Sequence, residues 1–136
     1  MKTPLKTQNL PQEEKLVNCI NWFEIPAISF DRAVKFYSSI FNFEFETNEM
    51  NGYSMAFFPS NSGVSGAIIC GEGSVPSDKG PLLYLNGGED LEHVLSRVEQ
   101  AGGRVIMTKQ MINPTAGYFA LFIDTEGNRL ALHSKS

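Results

Sequence analysis

The sequence predicts an α+β fold: two βαβββ modules in a pseudo-twofold arrangement that form a curved mixed sheet around a cavity, with the helices outside. The first observation is that residues 17–73 have the pattern of a strand, a helix and three strands, and residues 80–136 repeat this order. The second is the polar, turn-rich segment EGSVPSDKG, residues 72–80, between these halves. The third is the single apolar stripe of each helix, which predicts helices on one side of the sheet and an open opposite face.

The first module begins with a predicted strand over residues 17–25, in which Trp22 and Glu24 point to one face and their neighbours to the other. Pro26 ends this strand, because proline has no N–H to donate to a ladder. The following helix has Ser29 as its expected N-cap. Its apolar stripe, which we expect to pack on the first strand, consists of Ala33, Phe36, Tyr37, Ile40 and Phe41.

Three strands complete the first module. Asn42 ends the helix, and the alternating residues 43–47 predict the second strand. Asn51-Gly52 is a strong hairpin signal, and residues 53–58 and 64–71 predict the third and fourth strands.

The second module repeats this order. Gly87-Gly88 ends the predicted strand 82–85, and Gly102-Gly103 ends a helix whose stripe consists of Leu91, Val94, Leu95 and Val98. The last three strands are predicted at residues 104–108, 118–123 and 129–133, with a turn at Glu126-Gly127 before the final strand.

The composition predicts one globular domain, residues 17–136, preceded by a flexible arm over residues 1–16. The net charge is −4 and the basic residues are scattered, so we expect no nucleic-acid partner. No apolar run has the length of a membrane span or of a secretion signal, so we expect no membrane association. Cys19 and Cys70 are interpreted as reduced thiols, with a disulfide as the alternative, which predicts a cytoplasmic protein.

Three stretches of the sequence resemble a known superfamily: WFEIPAISFDRAVKFYSSIF at residues 22–41, PLLYLNGGEDLEHVLSRVEQAGGRV at residues 81–105, and GYFALFIDTEGNRLALHS at residues 117–134. Together they resemble the vicinal oxygen chelate superfamily, which includes glyoxalase I, extradiol dioxygenases and bleomycin-resistance proteins. The resemblance implies a glyoxalase-like scaffold, which different members use for different activities.

The resemblance also implies where a metal site would lie, because metal-dependent members hold a divalent ion with His and Glu side chains from four strands. Carried over residue by residue, these positions fall on Trp22, Ile69 (or its neighbour Ile68), Leu82 and Ala131. An indole, two aliphatic side chains and a methyl group offer no ligand to a divalent cation. We therefore expect neither a metal nor another cofactor.

Strand alternation predicts an apolar, aromatic ligand pocket with a few polar groups. Glu24 is the main candidate, either as a general base or as a ligand anchor, and the structural alternative is an ion pair with Arg129. His133 is a second catalytic candidate as a proton shuttle, or else a residue at the rim. The predicted pocket consists of Trp22, Glu24, Ile69, Leu82, Tyr84, Arg129, Ala131 and His133.

The first functional hypothesis is a small-molecule binding protein that uses this pocket without a metal. The second is a metal-independent isomerase or lyase, related to lactoylglutathione lyase, with Glu24 as base and Tyr84 or His133 as acid. The third is a metal-dependent glyoxalase-like lyase or dioxygenase. Because open sheet edges need cover, and because members of the superfamily often place the cavity at a subunit interface, we also expect a homodimer.

Overall fold

The computed structural model describes residues 18–136, so the predicted arm at residues 1–16 lies outside the described part. The elements of the first half are β1 (Trp22–Pro26), α1 (Phe30–Phe41), β2 (Glu46–Met50), β3 (Tyr53–Phe57) and β4 (Ser65–Cys70). Those of the second half are β5 (Tyr84–Asn86), α2 (Glu92–Val98), β6 (Arg104–Asn113), β7 (Gly117–Ile123) and β8 (Arg129–Ser134). Residues 71–80 between the halves contain no helix or strand.

Each half forms a four-stranded mixed sheet with the same topology. The strand orders are β1-β4-β3-β2 and β5-β8-β7-β6, so the first strand of each module pairs with the last. That pairing is parallel in both modules, whereas the remaining pairs are antiparallel. The prediction of two βαβββ modules is therefore confirmed.

One hydrophobic core joins the two modules. The predicted helical stripes are buried in it, and Phe41 packs at its border. Helix α1 contacts both halves, because the Phe36 ring lies 6.0 Å from Phe122 in β7 and the Tyr37 ring lies 5.9 Å from Phe58 beside β3. Arg97 of α2 donates a hydrogen bond to the Ile40 carbonyl at 2.9 Å. Because these residues come from both modules, neither half completes its core alone.

The first strand is shorter than the sequence predicted. It begins at Trp22, and the preceding residues 18–21 are exposed and extend no ladder. The reason is that its partner among residues 18–136, β4, begins at Ser65 opposite Trp22. An extended segment without a partner leaves its backbone groups to solvent.

Three other strand boundaries differ from the prediction because pairing overrides local pattern. The second strand lies at Glu46–Met50 rather than at residues 43–47, since the Asn51-Gly52 turn places Met50 opposite Tyr53. The fifth begins at Tyr84 rather than at Leu82, since its ladder with β8 starts at the pair Tyr84–Ala131. The sixth continues to Asn113 along β7, through three register shifts.

Of the residues predicted to end helices or form turns, some do so in the structure and one does not act as predicted. Asn42 ends α1 as predicted, in the left-handed conformation with φ of 59°. Its N–H donates a hydrogen bond to the Ser38 carbonyl. Ser29 occupies the N-cap position, but its hydroxyl makes no capping hydrogen bond. Gly52, with φ of 84°, completes the predicted hairpin turn. Among the described residues, no helix is long and apolar enough to cross a membrane.

Candidate functional site

The sheet face of the first module that points away from the helices carries three of the predicted pocket residues. Trp22 and Glu24 alternate with the buried Ile25 along β1, and Ile69 of β4 lies on the same face beside Pro26. The Trp22 indole is 45% exposed and its ring lies 6.2 Å from that of Phe57 in β3. This face is therefore open and largely apolar. The charged residue that β1 contributes to it is Glu24.

The larger of two cavities beside Glu24 has a volume of about 450 Å³. It lies at the end of the first sheet, between the β2–β3 hairpin and the segment that follows β4. It is open to solvent on one side, and its volume falls in the range of small-molecule sites. Its lining residues are Glu24, Met50, Asn51, Tyr53, Met55, Ile69, Glu72, Gly73 and Ser74.

The smaller cavity, of about 170 Å³, lies where the two modules meet and shares Glu24 with the larger one. Its wall is formed by β1, by residues 71–80 between the modules (the connecting segment) with the residues that follow it, and by the start of β8. The lining residues are Glu24, Ile25, Pro26, Val75, Ser77, Lys79, Pro81, Leu83, Asn128, Arg129 and Leu130. Glu24 lines both cavities and is the residue that they share. The candidate functional site therefore centres on Glu24.

Arg129 is not the ion-pair partner of Glu24 that the sequence allowed. Its guanidinium donates instead to the Gly80 carbonyl at 3.2 Å, which attaches the connecting segment to β8. Its Nε is buried and has no partner among the described residues. Within residues 18–136, Glu24 takes part in no ion pair. A carboxylate with no ion-pair partner beside a cavity is available to a ligand.

The remaining predicted pocket residues belong to the wall of neither cavity. Tyr84, Ala131 and His133 share one face of the second sheet, and Leu82 precedes β5. The His133 Nε2 lies 2.6 Å from the Ala116 carbonyl oxygen, while Tyr84 is 52% exposed. Together with Trp22, these residues line neither cavity. From the predicted set, the structure therefore places Glu24 with Ile69 at the larger cavity and with Arg129 at the smaller one. The two proposed proton donors line neither.

The sequence interpretation missed the residues that shape the larger cavity. The Tyr53 hydroxyl donates a hydrogen bond of 2.7 Å to the Glu72 carbonyl, which fixes the segment after β4. The Tyr53 ring lies directly over Gly71, where a Cβ atom would overlap it. Strand alternation was the available signal, because Tyr53 and Met55 are two residues apart and Met55 pairs with Ile69.

A buried polar network holds the turn between β7 and β8 against the start of α1. Glu126 accepts hydrogen bonds from the backbone N–H groups of Ile28 and Ser29, at 2.9 and 2.7 Å, and from the Arg32 guanidinium at 2.7 Å. Burial alone would raise the pKa of Glu126, but the hydrogen bonds from Arg32, Ser29 and their neighbours lower it to about 2. Glu126 therefore satisfies the backbone N–H groups of Ile28 and Ser29, which immediately precede the helix, and attaches the turn to the start of α1.

Asp124 and Asn128 extend this network into the core. The Tyr37 hydroxyl donates to Asp124 at 2.6 Å, and burial together with the Asp124 charge raises the Tyr37 pKa well above its usual value. Asn128 donates to the Pro26 carbonyl at 2.8 Å and accepts from the Ser77 N–H at 3.0 Å. The network therefore connects β1, the connecting segment and β8, and its role is structural.

The four positions implied for a metal site do not fit a divalent ion. Trp22, Ile69, Leu82 and Ala131 supply no oxygen, imidazole or thiolate ligand. Within residues 18–136, no three His, Cys, Asp or Glu side chains lie close enough together to hold a metal. The larger cavity offers carboxylates, a phenol, an amide and a hydroxyl beside its apolar surface. The smaller cavity adds the cationic side chains of Lys79 and Arg129.

Comparison with known proteins gives the family. The model of the Glyoxalase/Bleomycin resistance protein/Dioxygenase superfamily matches residues 19–132. A glyoxylase-like domain-containing protein from Didymella fabae is 32% identical over 118 residues, which are 83% of this chain and 91% of that protein. The chain belongs to the Glyoxalase/Bleomycin resistance protein/Dioxygenase superfamily, as its three characteristic stretches indicated.

Solved structures share the fold at low sequence identity. A glyoxylase/bleomycin resistance protein/dioxygenase domain from Frankia aligns with a TM-score of 0.68 and 15% identity, over 88% of this chain and 98% of that one. A glyoxalase I mutant from Zea mays aligns with a TM-score of 0.64 and 13% identity, over 85% of this chain. The chain spans only 45% of the maize chain. At these identities, the likeness extends to the fold and not to the activity.

Proposed function

We propose that this protein binds a small organic molecule in the cavity beside Glu24, without the metal centre of the metal-dependent members. The observation that carries the proposal is the cavity of about 450 Å³, whose wall combines Glu24 with apolar side chains. Its wall sets the apolar side chains of Met50, Met55 and Ile69 beside polar ones, and ligand sites combine apolar surface with polar groups in this way. The four substituted metal positions support a metal-free site.

Analysis of bound metal separates this proposal from the third hypothesis, a metal-dependent lyase or dioxygenase. The full-length protein, purified without added metal, is analysed for Ni, Zn, Fe and Mn. We expect far less than one equivalent of any of them, because the four positions offer no ligands. One equivalent of any of these metals would contradict the proposal.

A metal-independent lyase or isomerase receives less support from the geometry. Glu24 is available as a base, but Tyr84 and His133, its proposed acid partners, line neither cavity. A Glu24→Gln variant distinguishes the two hypotheses. An enzyme would lose turnover while keeping ligand affinity, whereas a binding protein would lose affinity and show no turnover in either form.

We also propose that the protein works as a homodimer in the cytoplasm. β2 and β6 are edge strands, and β6 carries the exposed side chains Ile106, Met107, Met111 and Ile112. Exposed apolar edges of this kind favour cover by a second copy. Both cysteines are free thiols, in agreement with a reducing compartment.

A further inference from the structure

The larger cavity carries a negative charge that its wall does not balance. Glu24 and Glu72 both line it, and its wall contains no Lys, Arg or His side chain. Arg129 and Lys79 line the smaller cavity instead. Within residues 18–136, neither carboxylate forms an ion pair. Charge complementarity therefore favours a cationic occupant.

The rest of the wall selects an organic rather than an inorganic cation. Met50, Met55 and Ile69 give it an apolar surface, and Tyr53 adds an aromatic ring. Thioethers and aromatic rings pack well against hydrocarbon, and an aromatic face also attracts a cation. A divalent ion needs several oxygen or nitrogen ligands, and no group of three such side chains exists among the described residues.

The residues that would recognise the cation are held in place by the fold. Glu24 lies in β1, whose backbone pairs with Ala67 of β4. Glu72 follows the close contact between Tyr53 and Gly71, and its carbonyl accepts the hydrogen bond from the Tyr53 hydroxyl. The backbone of both residues is thus held by the fold, while their exposed carboxylates are accessible to a ligand.

We propose that the ligand of the larger cavity is an organic cation, an amine with an aromatic or aliphatic body, whose ammonium group is bound by Glu24 and Glu72. This inference rests on the proposed binding function and specifies its ligand class. The hydrocarbon body packs against Met50, Met55 and Tyr53. Affinity therefore depends on the ligand charge and falls as the salt concentration rises.

Isothermal titration calorimetry with three probes of similar size tests the ligand class. The full-length protein in phosphate buffer is titrated with 2-phenylethylamine, which is cationic at neutral pH, with neutral 2-phenylethanol and with anionic phenylacetate. We expect the amine to bind about tenfold more tightly than the alcohol, because hydrogen bonds to charged groups are the stronger ones. Phenylacetate is expected to bind more weakly than either.

Glutamine variants assign the effect to the two carboxylates. Glu24→Gln and Glu72→Gln each change an exposed side chain, so the fold is retained. We expect each variant to lose most of the preference for the amine while its affinity for 2-phenylethanol stays within about twofold. The matched control is Glu44→Gln, an exposed carboxylate that lines neither cavity, and it should behave as the wild type.

Three results would overturn the ligand class while leaving the binding function in place. These are equal affinity for amine and alcohol, tightest binding of phenylacetate, and an amine preference that survives in both glutamine variants. Failure of all three probes to bind would also overturn the cation inference. The proposed function is tested separately: the metal content tests the metal-free site, and saturable binding of a neutral or anionic compound would retain the binding function without the cation.

Discussion

Glu126 is a buried carboxylate whose ionised form accepts hydrogen bonds that stabilise the fold. It is only 7% exposed and accepts hydrogen bonds from Ile28, Ser29 and Arg32. Its pKa is about 2 in the folded protein, below the ordinary value of 4.5, so the ionised form is the one the fold stabilises. The stability it contributes is complete above about pH 4.5 and is lost as the pH falls toward 2.

A Glu126→Gln variant should therefore change the pH dependence of stability. At neutral pH we expect its free energy of unfolding to fall by about 2 kcal/mol, because hydrogen bonds to a charged group become neutral ones. The difference from the wild type should shrink as the pH falls below 4.5. Urea denaturation at several pH values measures this, with Glu44→Gln as the exposed control. A difference that does not vary with pH would show that the Glu126 charge is not what stabilises the turn.

Which individual residues line the larger cavity could be predicted from the sequence only in part. Alternation along the strands placed Trp22, Glu24 and Ile69 on one face, which the structure reproduces. Glu72 lies in an irregular segment whose position depends on the contact between Tyr53 and Gly71. No local pattern encodes a contact of this kind, because it depends on how the third strand pairs with the fourth.

At the scale of elements, the β2–β3 hairpin and the end of β4 together form the wall of the larger cavity. Gly71 allows the Tyr53 ring to lie against the backbone, and the Tyr53 hydroxyl holds the Glu72 carbonyl. Gly71→Ala should displace the ring, because the new Cβ atom would overlap it. We expect a loss of about 2 kcal/mol in unfolding free energy, as is common for overpacking, and weaker ligand binding.

Tyr53→Phe is the matched variant, because it keeps the ring and removes only the hydrogen bond to Glu72. We expect it to cost about 1 kcal/mol, since a neutral hydrogen bond contributes about that much. Thermal unfolding and ligand titration of both variants provide the measurement. If Gly71→Ala were as stable as the wild type and bound ligand equally well, the proposed wall would be wrong.

Element identity was predicted well from the sequence, and element boundaries less well. The order of elements, the stripe of α1 and the Asn51-Gly52 turn follow from local pattern and turn chemistry. The start of β1 and the length of β6 depend on where β4 and β7 offer partners. Pairing across the sheet is a tertiary property, so alternation alone placed the first strand too early.

At the scale of the whole molecule, the shared core predicts that the two modules unfold together. Phe36 of α1 packs on Phe122 of the second sheet, and Asn128 bonds the Pro26 carbonyl of β1. Trp22 is the only tryptophan and reports on the first module. We expect its fluorescence and the far-UV circular dichroism to give the same denaturation midpoint. Two separated transitions would show that the modules are independent domains.

The proposed homodimer is a second property of the whole molecule. The exposed side chains of β6 include Met111 and Ile112, at 55% and 44% exposure. If β6 forms the subunit interface, Ile112→Lys should shift the molecular mass measured by light scattering toward that of the monomer. Lys35→Glu, a charge change on α1, serves as the control and should leave the mass unchanged. A wild-type protein that is monomeric at high concentration would contradict the dimer.

The most direct test of metal-free ligand binding is to observe the cavity wall by NMR while a metal chelator is present. The methyl groups of Met50 and Met55 line the larger cavity, whereas Met111 lies on β6 outside it. A set of small organic compounds is titrated into methyl-labelled protein in EDTA. The account predicts saturable shifts of the Met50 and Met55 methyl signals, with Met111 unchanged. Shifts at Met50 and Met55 that require an added divalent ion, or their absence with every compound, would contradict it.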